Sequence, residues 1–325
     1  RRLTARGPWG GQGIDLVPYN GRMPSPLWTP SPDRVAATRL TAFMQVVAAR
    51  FQIPIADYSA LYEFSIGRPE DFWRLIWEFG AVRGTMGERI VENLDRMPGA
   101  VFFPDATLNF ADNLLADRSS SPALIFKGED RPLRVLTHAD LYHAVASFAA
   151  GLRAEGVKPG DRVAGYLPEA IVAALGTAAV GAVWSSCSPD FGVPGVLDRF
   201  GQIEPRVLVA ADGYTYGGKR HDCSTRVAEI VRALPSVKRT IVIPYLGNGT
   251  TDSGDLVTWD TFVSPVRTSD LRFEPLPFNH PLYILYSSGT TGIPKCIVHG
   301  AGGTLVQHLK EHQLLCDIRS GDRAF

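Results

Sequence analysis

The sequence predicts an α/β fold, a parallel or mixed sheet flanked by helices, preceded by a small, mostly helical unit. Three observations predict it. From about residue 122 onward, short β-former runs such as Ala123-Leu124-Ile125-Phe126 and Val163-Ala164-Gly165-Tyr166-Leu167 alternate with amphipathic or alanine-rich stretches of helical length. Repeated βα units of this kind give a parallel sheet with helices on both faces. Upstream, Leu61, Phe64, Phe72, Trp73, Leu75, Ile76, Trp77 and Phe79 crowd together without strand alternation, and a helix is expected to start near Asp71. Finally, 325 residues with 45% apolar content are enough for roughly two domains and a sizeable core.

Taken in order, the first 56 residues form an extension. It opens on Gly7-Pro8-Trp9-Gly10-Gly11-Gln12-Gly13 and Pro24, Pro26, Pro30 and Pro32, which have neither helical nor strand periodicity. One helix is expected after Pro32, with Val35, Leu40, Phe43, Val46 and Val47 on its apolar face. Residues 57–116 make the aromatic-rich unit, whose density suits a docking face against a larger body. Residues 117–325 carry the α/β pattern. There Thr137-His138-Ala139-Asp140 has the form of a capping box opening a helix with Leu141, Val145, Phe148, Ala149 and Leu152 on one face. Gly156 stops that helix. An alanine-rich helix is expected from Glu169 to Val180, and strands at Ala182–Trp184, Val207–Ala210 and Thr240–Ile243, with a helix from Thr225 to Ala233 between the last two. His138 and His143, five apart, do not share a helix face and read as surface or core residues.

Bulk properties exclude several function classes. Lys plus Arg equals Asp plus Glu at 33 each, so no overall field favours nucleic acid or an anionic membrane, and any anion site must be local. Cys187, Cys223, Cys296 and Cys316 are scattered without CxxC or Cys/His ligand spacing, so neither a disulfide framework nor a zinc site is indicated. Buried thiols in a reducing cytoplasm are the expectation. No apolar run approaches ~18 residues, and Asn248-Gly249-Thr250 reads as a turn. The chain begins at Arg1 and stops at Phe325 just as Asp322-Arg323-Ala324-Phe325 enters what reads as another strand, so it is expected to be a piece of a longer protein.

The most informative segment is Tyr286-Ser287-Ser288-Gly289-Thr290-Thr291-Gly292-Ile293-Pro294-Lys295. The run Leu282-Tyr283-Ile284-Leu285-Tyr286 is a buried strand by composition, and it empties into hydroxyls and glycines ending on a lysine. Gly289 and Gly292 let backbone N–H groups turn toward one point, and four hydroxyls with the Lys295 ammonium add donors to the same concavity. Such a cluster suits a polyphosphate. It is not the GxxxxGK[ST] loop, because the glycines are three apart and Cys296 follows the lysine. Pro294 and the apolar Cys296-Ile297-Val298 make it a strand-to-strand connection, so backbone N–H groups and side chains carry the binding with little help from a helix dipole.

This ordered string resembles the signature loop of the acyl-adenylating (AMP-binding) superfamily of acyl-CoA synthetases, luciferases and peptide-synthetase adenylation domains. The Thr137 to Asp140 and Gly156 to Val163 segments fit the N-terminal part of that superfamily's large domain. Asp71-Phe72-Trp73-Arg74-Leu75-Ile76-Trp77 resembles the N-terminal domain of the acetyl-CoA and acetoacetyl-CoA synthetases. The blocks Gly181 to Val193, Val196 to Phe200 and Lys295 to Leu305, with His308-Leu309-Lys310-Glu311-His312, resemble the acetoacetyl-CoA synthetase branch, and the likeness covers nearly everything beyond residue 25.

The resemblance implies a two-step ligase using ATP, CoA and Mg²⁺: a carboxylate, acetoacetate in that branch, attacks the α-phosphorus, pyrophosphate leaves, and the CoA thiol captures the acyl-adenylate. It implies that Ser287, Ser288, Gly289, Thr290, Thr291, Gly292 and Lys295 hold the β- and γ-phosphates, Lys295 acting as a charge. It places the CoA 3′-phosphate near Tyr216-Gly217-Gly218-Lys219 with Arg220 next, where the branch of acetyl-CoA synthetases has two arginines. Tyr216 and Lys219 replace those arginines; Arg220 restores the charge or Tyr216 stacks on the adenine. Ser188, Pro189 and Asp190 fall where the family lines its pantetheine tunnel. The family's Mg²⁺-binding glutamate, its acyl pocket and its catalytic lysine lie past Phe325, so the 325 residues alone are expected to make no adenylate. An acetyl- or propionyl-CoA synthetase, and a non-catalytic nucleotide-binding homologue, remain open alternatives; a carrier-protein-loading adenylation domain would lack the Phe72-Trp73 unit.

Overall fold

A computed structural model describes residues 27–168, 170–248, 251–264, 271–287 and 292–324. The helical unit comes first: α1 (Pro32–Ala36), α2 (Arg39–Phe51), α3 (Tyr58–Gly67) and α4 (Pro69–Phe79). The one helix expected after Pro32 is two. Thr38 turns extended and its side chain accepts from the Thr41 amide, so it caps a fresh helix at Arg39. Val35 and Val46, expected on the apolar face, are exposed, whereas Phe43 and Val47 are buried. Similarly α4 begins at Pro69, two residues ahead of expectation, because proline suits the first helical turn.

The aromatic face does dock. Trp77 lies 5.2 Å from Phe103 and 6.5 Å from Phe278, ring centre to ring centre, and Phe103 and Phe278 are 4.8 Å apart. A ladder of two-residue strands, Gly84–Thr85, Thr107–Leu108 and Leu276–Pro277, fastens the unit to the chain that leads into the signature loop. One hydrophobic cluster accordingly runs from Phe43 through Trp77 and Val145 to Leu314, across the boundary expected near residue 117.

Beyond it, the strands β1 (Pro122–Phe126) and β2 (Arg134–Thr137) pair as a hairpin, and α5 (His138–Ala154) follows with both halves of the capping box made: Thr137 Oγ accepts from the Asp140 amide, and Asp140 accepts from the Thr137 amide. The main sheet comprises β3 (Arg162–Tyr166), β4 (Val183–Cys187), β5 (Val207–Ala211), β8 (Arg239–Ile243), β9 (Leu256–Thr258), β10 (Pro281–Tyr286) and β11 (Cys296–Gly300). Between β5 and β8 a two-stranded hairpin, β6 (Gly213–Tyr216) and β7 (Lys219–Asp222), stands apart from the sheet. The sheet order is β9-β8-β5-β3-β4-β10-β11, with every neighbouring pair parallel except β10 and β11. Central strands are apolar on both faces, as parallel strands sandwiched by helices must be; all five residues of β5 are buried. The helices α5 and α6 (Ile171–Ala179) cover one face, and α7 (Val193–Ile203) and α8 (Ser224–Ala233) the other; α9 (Ala301–Leu309) follows β11.

Asn109 joins the helical unit to the sheet. Its buried side-chain amide donates to the carbonyls of Ala178, Ala179 and Glu274, while its oxygen accepts from the Ala111 amide. Residues 322–324, expected to enter a strand, lie in none. Of the four thiols, expected buried, Cys187 and Cys223 are, Cys296 is half-buried and Cys316 is exposed.

Candidate functional site

Because β3, β4, β5 and β10 run parallel, their C-terminal ends at Tyr166, Cys187, Ala211 and Tyr286 share one edge of the sheet. Loops leaving that edge of a parallel sheet are the usual place for ligands in such folds. Three segments singled out from the sequence emerge there: residues 287–295, residues 188–192, and the β6–β7 hairpin.

The described ends of the signature segment join the two strands of an antiparallel pair, as its composition predicted. Tyr286 pairs with Cys296, and the Ser287 amide donates to the Lys295 carbonyl at 3.1 Å, which adds one rung. Ser287 is half-buried, whereas Gly292 and Lys295 are exposed; Gly292 has φ +138°, a backbone setting that L side chains avoid. Ser288, Gly289, Thr290 and Thr291 lie outside the described residues.

Side chains from α7 and β4 brace both stems of this turn. Gln202 donates to the Pro294 carbonyl at 2.8 Å and receives a weak contact from the Cys296 thiol at 3.7 Å. Ser185, fully buried, hydrogen-bonds the Ile284 carbonyl (2.9 Å) and the Tyr286 hydroxyl (3.1 Å). Burial pushes the Tyr286 phenol up to about 12, so it stays a neutral donor at any working pH. Arg199 sits between two rings, 4.4 Å from Phe191 and 5.7 Å from Tyr286. One helix side therefore touches both the signature turn and the loop at 188–192.

That second loop hangs from its own carbonyls. Tyr166, fully buried, shares its hydroxyl proton between the carbonyls of Pro189 and Phe191, each at 2.8 Å. Arg226 adds a second donor to the Pro189 carbonyl at 3.1 Å. Ser188 and Asp190 are left facing outward, with Pro189 buried between them. Cys187, just before, is no nucleophile: burial raises its thiol to about 11.

In the β6–β7 hairpin, Gly217 (φ +59°) and Gly218 (φ +71°) make the tight two-residue turn that requires positive φ at both positions. Their two amides are already engaged, donating to the two carboxylate oxygens of Glu129 at 3.0 and 2.8 Å. Thr215 donates to Asp130 at 2.8 Å, so the β1–β2 loop grips the hairpin along one face. Arg220 pairs with Thr215 across the strands and spends a guanidinium donor on the Leu246 carbonyl. Tyr216 and Lys219 pair at the tip, where Tyr216 is 72% exposed and Lys219 is exposed. Of the residues assigned to CoA by resemblance, Tyr216, Lys219, Arg220 and Ser188 all have exposed side chains, and the Arg220 guanidinium is held by the Leu246 carbonyl.

Sequence reasoning missed Tyr166, Ser185, Arg199, Gln202, Arg226 and Glu129. Arg199 and Gln202 carried a usable signal, since residues three apart on a helix share a face. Glu129 carried none, as its partners are backbone groups some ninety residues away. Among the described residues no group of three or more His, Cys, Asp or Glu side chains could hold a metal ion, and His138 instead faces Asp117 at 3.6 Å.

Comparison with known proteins agrees with this geometry. The family model described as "AMP-binding enzyme" matches residues 113–323, which contain all three segments at that edge. An acetoacetyl-coenzyme A synthetase of Rhizobium meliloti is 47% identical over 92% of this chain and 47% of its own length. A malonamoyl-CoA synthetase of Penicillium aethiopicum is 38% identical over 94% of this chain and 45% of its own. The solved acetoacetyl-CoA synthetase from Streptomyces lividans superposes with a TM-score of 0.87 at 46% identity, covering 92% of this chain and 47% of that one. The chain thus spans about half the length of the curated relatives it matches. With the parallel sheet, the signature turn at its C-terminal edge and the family match over residues 113–323 in agreement, the chain belongs to the AMP-binding enzymes.

Proposed function

We propose that this chain supplies the phosphate-binding and part of the thiol-binding portion of an ATP-dependent acid–thiol ligase, with acetoacetate and CoA as substrates. The observation that carries the reading is the β10–β11 turn, rich in glycine and hydroxyls and ending on exposed Lys295, at the ligand-binding edge of the sheet. In the first step a carboxylate oxygen bonds to the α-phosphorus while the bond to the bridging oxygen breaks, and pyrophosphate departs with that electron pair. The turn residues Ser287 to Gly292 and Lys295 hold the departing β- and γ-phosphates, spreading charge over fixed donors and keeping the chain in line. Lys295 acts by charge, since no proton has to be removed from pyrophosphate. In the second step the CoA sulfur bonds to the acyl carbon and AMP leaves. The outward Ser188 borders the thiol path, and Tyr216 and Lys219 at the hairpin tip meet the nucleotide end of CoA, flanked by Gly217, Gly218 and Arg220. The Gly217 and Gly218 amides are held by Glu129, so side chains carry that contact. Among the described residues no His, Cys, Asp and Glu cluster would hold Mg²⁺.

The reading is tested on the protein that carries this chain. With acetoacetate, ATP and CoA it should form thioester, AMP and pyrophosphate in equal amounts. Lys295→Ala should slow acetoacetate-dependent exchange of pyrophosphate into ATP by about 10²–10³-fold, the usual cost of one transition-state donor. An unchanged exchange rate would sink the assignment of the turn. The malonamoyl-CoA synthetase relative favours one second reading, a different short acyl group, and turnover of malonamate against acetoacetate separates the two.

A further inference from the structure

We propose that Arg226 is a positioning residue for the thiol half-reaction, clasping the 188–192 loop to the β6–β7 hairpin so that the two sides of the CoA site keep a fixed spacing. The inference rests on the CoA reading above and deepens it. Arg226 stands in the first turn of α8, half-buried, and its guanidinium reaches both the 188–192 loop and the end of the hairpin. Nη1 donates to the Pro189 carbonyl at 3.1 Å. Nη2 donates to the Cys223 sulfur at 3.2 Å and to the Asp222 carbonyl at 3.4 Å, at the junction where the hairpin enters the helix. Asp222 closes β7, and within that hairpin the Tyr214 ring stacks on His221 at 4.8 Å.

These contacts exceed what a surface arginine needs for solubility. A planar fork with several donors in fixed directions is the side chain suited to tying separate backbone segments together, and lysine reproduces its charge but not its geometry. The loop hangs from Pro189 and Phe191, and those carbonyls are reached from below by Tyr166, an anchor within the sheet. Tyr166 fixes the height of the loop; Arg226 fixes its distance from the hairpin. Neither reaches the signature turn, which is braced instead by Gln202 and Ser185. The clasp therefore serves one side of the site.

The test uses the protein that carries this chain, with Arg226→Met and Arg226→Lys, and reads the two half-reactions separately. Loss of a charged hydrogen-bond donor should raise the KM for CoA about tenfold to a hundredfold in Arg226→Met. The KM for ATP and acetoacetate-dependent pyrophosphate exchange should stay within about twofold. Arg226→Lys should recover part of the CoA KM. If Arg226→Met proves unstable, the Arg226→Lys variant alone still has to show the selective rise in CoA KM. A wild-type protein that forms thioester while the variants leave the CoA KM unmoved overturns the clasp alone, as does a parallel fall in both half-reactions. A wild-type protein that exchanges pyrophosphate but never forms thioester overturns the CoA reading and the clasp together.

Discussion

Gly302, in the first turn of α9, has no room for a side chain. A Cβ there would lie 2.2 Å from the Phe278 ring, which is buried and packed against Phe103 and Trp77. Its amide also donates to the Phe278 carbonyl at 2.8 Å, so the backbone cannot retreat without breaking that bond. Gly302→Ala should destabilise the fold by about 1–3 kcal/mol, the range for overfilling a packed core, measured as a lower denaturant midpoint at unchanged m-value. The residue stood in plain view in a block quoted for its family likeness, yet its reason is a contact with a ring twenty-four positions upstream that no local pattern encodes. Lys295 is the opposite case, because the role proposed for it follows from the residues immediately before it. Glu129 and Arg226 were illegible for a shared reason: their partners are mostly main-chain atoms, which leave no trace in the identity of the residues they belong to.

Whole elements were read more securely where they carry their own punctuation. The capping box at Thr137 and Asp140 was legible because both halves lie within one turn, and the structure makes both bonds. Replacing Thr137 by alanine should cost about 0.5–2 kcal/mol, read by thermal or chemical unfolding, with the fold otherwise intact. The signature segment was legible as a strand-to-strand turn, since Pro294 and the apolar run after Lys295 leave no place for a helix start. The central strand β5 ended within a residue of expectation because burial on both faces demands an uninterrupted apolar run, whereas β4, expected at Ala182–Trp184, continues through Ser185 and Ser186 to Cys187, where polar residues hid its end. The break at Thr38 was not legible. An apolar spacing that continues smoothly from Val35 to Val47 hides a cap that a threonine hydroxyl creates, and the side chains left outside the turn stay in solvent.

At the scale of the molecule, the helical unit and the sheet share one core, so their stabilities should rise and fall together. Urea unfolding followed by Trp77 fluorescence and by far-ultraviolet circular dichroism should therefore give coincident transitions. His308 is largely exposed, and partial desolvation with His312 and His299 nearby lowers its pKa below the ordinary value of about 6.5, an effect that solvent screening keeps small. The unfolded chain then binds the proton more readily than the folded one, so stability is fully present above that ordinary value and falls as pH drops through it toward the folded pKa. Urea midpoints should therefore decrease slightly from about pH 7.5 to about pH 5.5, and less in His308→Asn. If the slope were identical in the variant, the histidine would not be its source. The helix α7 has a different kind of reach. Arg199 rests on Phe191 and Tyr286 together, and Gln202 holds the far stem of the signature turn. A single rigid rod leaning on two loops makes their equilibria linked, and linkage is reciprocal. Under the proposed assignment, whatever factor bound nucleotide applies to the affinity for the thiol, the thiol must return to the nucleotide.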